Sequence, residues 1–171
     1  MNEAERMKDH LLDWLRDAHA MEEQAETMLS ATAERLENYP ALKQRIEQHI
    51  IETQGQGRRV AACIERLGGD TSAFKDAGGK LMATAQGFSG MFASDEVVKG
   101  AIFSYAFENL EIASYKSLIA AALQMGDQQT ARACEDNLEE EIAMAEWLHG
   151  HIEQLTVQFL AKAQAGEPAK R

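Results

Sequence analysis

Leu42, Ile46, His49, Thr53, Gln56, Val60, Cys63 and Leu67 follow one another at alternating steps of four and three. Such spacing returns to one face only on a helix of about 3.6 residues per turn; a strand would scatter it over two faces. Three other stretches repeat the pattern. Leu15, Glu22, Leu29 and Leu36 lie on one heptad line, with Leu11, Ala18 and Ala25 beside it. Val97, Ala101, Tyr105, Glu108, Ile112, Tyr115, Ile119 and Leu123 form a third stripe, and Cys134, Leu138, Glu141, Ala145, Leu148, Ile152, Leu155 and Phe159 a fourth. Only two prolines occur in 171 residues, so little interrupts long helices.

The breakers divide the chain. The first helix is expected from about Glu3 to Glu37, with Asn38 as its stop, and the second from Pro40, which suits a first turn, to Leu67. "GGD" at 68–70 ends the second helix. A glycine-rich connection over 68–96 follows, with apolar spacing in "FKDAGGKLMATAQGF" that predicts a short helical piece. Ser94 is the expected cap of the third helix, with Asp95 and Glu96 in its first turn, where the helix dipole favours anions. Gly126 stops that helix and Asp127 caps the fourth. The bundle is expected over 1–162, with a frayed tail over 163–171. Two helices joined by a short turn, one long crossover, then two more helices joined by a short turn is the connectivity of a ferritin-like four-helix bundle. The fold class is therefore all-α.

Composition removes several functions. The net charge of −11 opposes unaided binding of nucleic acid or acidic lipid and suits attraction of cations. No apolar run approaches the roughly 20 residues of a membrane span. "MNEAERMKDH" is charged throughout and lacks a signal-peptide core, so the cytoplasm is the expected location. Cys63 and Cys134 match no zinc or redox spacing and read as small buried hydrophobes. No nucleophile–base set and no phosphate loop is evident.

Each apolar stripe carries a polar group near its middle: Glu22, His49, Glu108 and Glu141. Glu111 lies one turn from Glu108, about 60° round the wheel, at the stripe's edge. Glu52 lies one turn from His49, about 100° from the stripe centre, and reads as a boundary residue. Glu26 competes with Glu22, and Glu140 with Glu141, for an inward position. Tyr105 and Tyr115 share the Glu108 stripe and could hydrogen-bond its carboxylate. Converging buried carboxylates repel one another and would protonate. Bound cations remove both problems, and carboxylate with imidazole suits iron, manganese or zinc. Di-iron bundles use a Glu from each of two helices and Glu-x-x-His from the other two. This chain departs from that set: the second helix has the reverse order, "HIIE", and Met144 stands three residues after Glu141.

The stretches "LRDAHAMEEQAETML", "RIEQHIIETQGQ", "SDEVVKG", "FENLEIASYKSLIAAA" and "NLEEEIAMAEWL" resemble the YciE/YciF family of bacterial stress-associated ferritin-like proteins, closer to the YciE branch. The resemblance implies a ferritin-like fold, a homodimer and a dinuclear metal site. It implies Glu22, His49, Glu52, Glu108, Glu111 and the Glu140/Glu141 pair as site residues, with Glu52 depending on it. It does not supply a reaction. Two functions are therefore expected to compete. One is a carboxylate-bridged dinuclear centre, with iron ahead of manganese or zinc, that oxidises Fe(II) or consumes peroxide or O2. The other is a non-enzymatic dimeric bundle that acts through partner binding and keeps a vestigial site.

Overall fold

The structure, a computed structural model, describes residues 2–70 and 95–170. Four helices run through these residues: α1 (Glu3–Arg35), α2 (Pro40–Arg66), α3 (Glu96–Gln124) and α4 (Gln128–Ala165). The expected helical piece within 68–96 and the Ser94 cap fall on residues outside those described. Within them, Asp95 occupies the cap position of α3, and its side chain makes no capping hydrogen bond. Helix α1 stops at Arg35, two residues before the expected Glu37, because Leu36 turns to an extended conformation and drops into the core.

Local chemistry accounts for the ends. Asn2 and Glu5 form a reciprocal capping box on α1. Pro40 sits in the first turn of α2. The Asp127 carboxylate accepts from Thr130 N at 3.1 Å and so caps α4. Helices α2, α3 and α4 each stop at a glycine with φ between 73° and 76°, a region costly for any side chain.

Helix α1 pairs with α2, and α3 with α4. The two pairs meet through α1–α3 and α2–α4. The stripes of α1, α2 and α4 are the buried faces, with Leu11, Leu15, Ile46, Ile64 and Leu148 fully enclosed. The α3 stripe requires correction. Leu123, expected inside, is 45% exposed, while Glu111, Leu118 and Ala122 are buried. The inward line therefore runs through Ala101, Glu108, Glu111, Tyr115, Leu118 and Ala122. Helix α3 is apolar almost all round, so spacing could not choose its inner face. Packing against α1 and α4 chose it.

The tail also differs from expectation. Helix α4 continues to Ala165, and the residues after it are tied down. The hydroxyl of buried Tyr39 donates to Ala169 O at 2.6 Å, and Val97 N donates to Lys170 O at 3.1 Å. The tail thus joins the start of α2 to the start of α3. Long-range hydrogen bonds of this kind leave no periodic trace in sequence. No helix of the described residues is long and apolar enough to cross a membrane.

Candidate metal centre

Midway along the bundle, three of the four polar interruptions converge with Glu111. His49 from α2, Glu108 and Glu111 from α3, and Glu141 from α4 each offer a ligand atom within 4.8 Å of the others. All four side chains are at most 2% exposed. His49 Nε2 lies 3.2 Å from Glu108 Oε2 and 3.5 Å from Glu141 Oε2. Glu22, from α1, is also buried and close enough to interact electrostatically with Glu141, His49 and Glu108.

The remaining candidates have different places. Glu52 stands on the outer side of His49, its Oε2 2.7 Å from Nδ1. Arg45 at 3.2 Å and Gln48 at 2.9 Å hold the same carboxylate. It orients the imidazole and lies outside the four-residue cluster. Glu26 is held by Gln54 at 2.7 Å and Glu140 by Arg59, so neither displaces Glu22 or Glu141 from the inner position. Met144 is fully buried. Among the described residues, His49 is the one histidine in the cluster.

A chain of hydrogen bonds supports Glu22. The Tyr115 hydroxyl donates to Glu22 Oε1. Asn137 Nδ2 donates to the Tyr115 oxygen at 2.9 Å, and Arg59 Nε donates to Asn137 Oδ1. Tyr115 therefore serves Glu22 on α1 rather than Glu108 on its own helix, because its side chain reaches across the α1–α3 contact. Tyr105 lies instead against the His149 ring, with centroids 5.8 Å apart. Asn137 and Arg59 were missed in the sequence. Asn137 had a usable signal: it is a polar residue one turn before Glu141 on the buried face of α4. Arg59 lies off its stripe and had none.

The electrostatics follow from burial. Enclosure pushes the Glu22 and Glu111 carboxyls well above the ordinary range, and neighbouring carboxylates add to the shift. Burial also lifts Glu108, to about 8, against the pull of His49. Burial alone would lower His49, but Glu108, Glu141 and Glu52 outweigh it and hold the imidazole up to about 12. Glu141 would rise by burial, yet His49 and Glu108 keep it below the ordinary carboxylate range. The metal-free cluster thus carries extra protons and pairs one imidazolium with the Glu141 carboxylate.

This arrangement leaves lone pairs over. Glu22 Oε2, Glu111 Oε1 and Glu141 Oε1 have no hydrogen-bond partner, and Glu108 Oε2 and Glu141 Oε2 have only the long His49 contacts at 3.2 and 3.5 Å. Each unmatched buried polar atom costs about 1–3 kcal/mol. Divalent cations would take up these oxygens and the His49 Nε2 lone pair together. The residues therefore fit a metal centre.

Comparison with known proteins places the chain. A family model described as "Domain of unknown function (DUF892)" matches residues 6–161. The chain belongs to the DUF892 family. Among solved structures, this DUF892 protein is similar to a protein of Xanthomonas campestris pv. campestris, with 45% identity and a TM-score of 0.79. That match covers 93% of this chain and 99% of the other. The E. coli stress protein YciF matches at 24% identity and a TM-score of 0.70, over 89% of this chain and 96% of its own. The bacterioferritin of Desulfovibrio desulfuricans, a protein with a diiron site, matches at 21% identity and a TM-score of 0.70, over 95% of this chain and 91% of its own. At such identities the last two likenesses speak for the fold alone. The DUF892 chain is an all-α, ferritin-like four-helix bundle.

Proposed function

We propose that this chain is a dinuclear metal protein that binds iron between α1, α2, α3 and α4 and oxidises Fe(II) with O2 or peroxide during stress. The observation that carries the reading is the buried His49, Glu108, Glu111 and Glu141 cluster with its unmatched carboxylate oxygens. Glu22 adds a fifth ligand from α1, and Glu52 fixes the His49 ring through Nδ1 so that Nε2 faces the carboxylates. Manganese is the second choice of metal. Within the family, the quoted sequence stretches support the YciE branch. Exposed Trp14 and Leu110 support a second copy of the chain as partner, which sedimentation would test.

Bound iron would supply one-electron chemistry toward O2 or peroxide. The protein's own part is to hold ligands, exclude water and manage protons. Loading must remove the proton at His49 Nε2 and those on Glu22, Glu108 and Glu111, so uptake releases protons. Tyr115 occupies Glu22 Oε1 and leaves Oε2 for a ligand role. Carboxylates can change between one-oxygen and two-oxygen binding, which lets the site follow changes in coordination.

The test is an anaerobic Fe(II) titration of metal-stripped protein, followed by air. Two ions per chain, and oxidation faster than in buffer, would support the reading, and Glu108→Ala should abolish both. A second reading has one observation in its favour: the His49 charge partly satisfies the polar layer without metal. On that reading the layer fixes helix register in a partner-binding stress protein. Absence of saturable binding in the titration would select it.

A further inference from the structure

A cavity of about 330 Å³ opens between α1 and α2 on the flank of the centre. Glu22, Glu23 and Glu26 line it from α1, and Thr53, Gly57 and Arg58 from α2. The two outer carboxylates, Glu23 and Glu26, face one guanidinium, so the wall is net acidic. Its inner end is a group already described: Glu22 is 2% exposed, and its Oε2 has no hydrogen-bond partner. Thr53 Oγ1, also buried, has none either. The acidic wall therefore leads from solvent to the side chain whose buried inner oxygen is unmatched. A second cavity, of about 360 Å³ between α1 and α3, is lined by Trp14, Met21, Leu110 and Leu118 among others, and no ligand of the centre borders it.

Gly57 keeps the first cavity open. A Cβ there would meet only Glu22 Cβ, at 3.7 Å, so alanine fits. Anything longer would project over the Glu22 side chain. The space suits a hydrated ion: six waters at about 30 Å³ each fill about 180 Å³, well inside the cavity volume.

We propose that the α1–α2 cavity is the port by which hydrated divalent cations reach the buried centre, with Glu23 and Glu26 as outer attracting groups, Glu22 as the inner acceptor and Gly57 as the residue that keeps the passage clear. The inference rests on the metal-centre reading above. It adds how the centre is loaded.

The test follows loading rather than turnover. Co(II) is mixed with metal-stripped protein in a stopped-flow instrument, and its visible bands report binding. Gly57→Leu should fill the passage and slow loading by about tenfold or more, while the final number of ions per chain stays at the wild-type value. Gly57→Ala should slow it far less. The double variant Glu23→Gln with Glu26→Gln should load more slowly at low salt and lose most of the salt dependence of the rate. It also tests the port if Gly57→Leu fails to fold. Wild-type rates in the folded Leu and double-Gln variants would overturn the port. So would a reduced ion count in the double variant, since its residues would then belong to the centre. A wild-type protein that binds no Co(II) or Fe(II) would instead overturn the metal-centre reading.

Discussion

At the scale of single residues, the centre trades apo stability for ligand capacity. Glu111 is fully enclosed, its carboxyl pushed up by burial and then by Glu141 and Glu22. Glu111→Gln keeps the shape and removes the ionisable group. It is expected to raise the melting temperature of the metal-free protein at neutral pH, worth about 1–3 kcal/mol, and to shrink the rise produced by added metal. Thermal melts with and without Fe(II) or Mn(II) check both parts. The same groups set a pH dependence. Glu108 moves from an ordinary 4.5 to about 8, and His49 from 6.5 to about 12. Both bind a proton more tightly folded than unfolded. Stability of the metal-free protein therefore falls as pH rises, from Glu108 between 4.5 and about 8 and from His49 between 6.5 and about 12. Each proton contributes a slope of about 1.4 kcal/mol per pH unit. Urea midpoints should drop between pH 6.5 and 8, the window shared by both groups. Metal affinity should rise over the same range, because loading displaces those protons.

At the scale of elements, helix ends position the ligands by fixing where each helix starts. Asp127 caps α4 and receives Arg66 from the last turn of α2, and Arg66 also donates to Thr130 at 2.6 Å. One carboxylate thus sets the register of α4 against α2, and with it Glu141 against His49. Asp127→Ala is expected to cost about 1–2 kcal/mol by chemical denaturation. Metal affinity should weaken with it, because the two ligand-bearing helices lose a shared anchor. Helix α3 shows the limit of periodicity at this scale. Its four sides are nearly equal in apolar character, so the wheel placed Glu111 at an edge when packing makes it central.

At the scale of the whole molecule, the tail closes the bundle end opposite the α3–α4 turn. Tyr39, Val97 and Glu96 all contact residues 169–170: Tyr39 and Val97 by hydrogen bonds, and Glu96 through Lys170 at 3.8 Å. Arg35, at the end of α1, reaches Glu96 at 2.7 Å. Ending the chain at Gly166 is expected to destabilise the fold by about 1–3 kcal/mol, since it leaves the buried Tyr39 hydroxyl without its acceptor. Hydrogen exchange at the first turn of α3 should accelerate in that variant while the centre of the bundle stays protected.

The sequence by itself determined the helices, their pairing order and the depth of the polar layer. Those features are local or periodic: glycine at 68 and 126, proline at 40, Asp127 as a cap, and Glu22, His49, Glu108 and Glu141 each near the middle of an apolar stripe. Only the tertiary structure decided which carboxylates face each other. It moved Glu111 inward, put Glu52 behind His49, turned Glu26 and Glu140 outward, and gave Tyr115 to Glu22. The physical reason is that a helix wheel fixes directions relative to one axis. The meeting of side chains depends on the rotation and separation of four axes, which packing of all the stripes settles together.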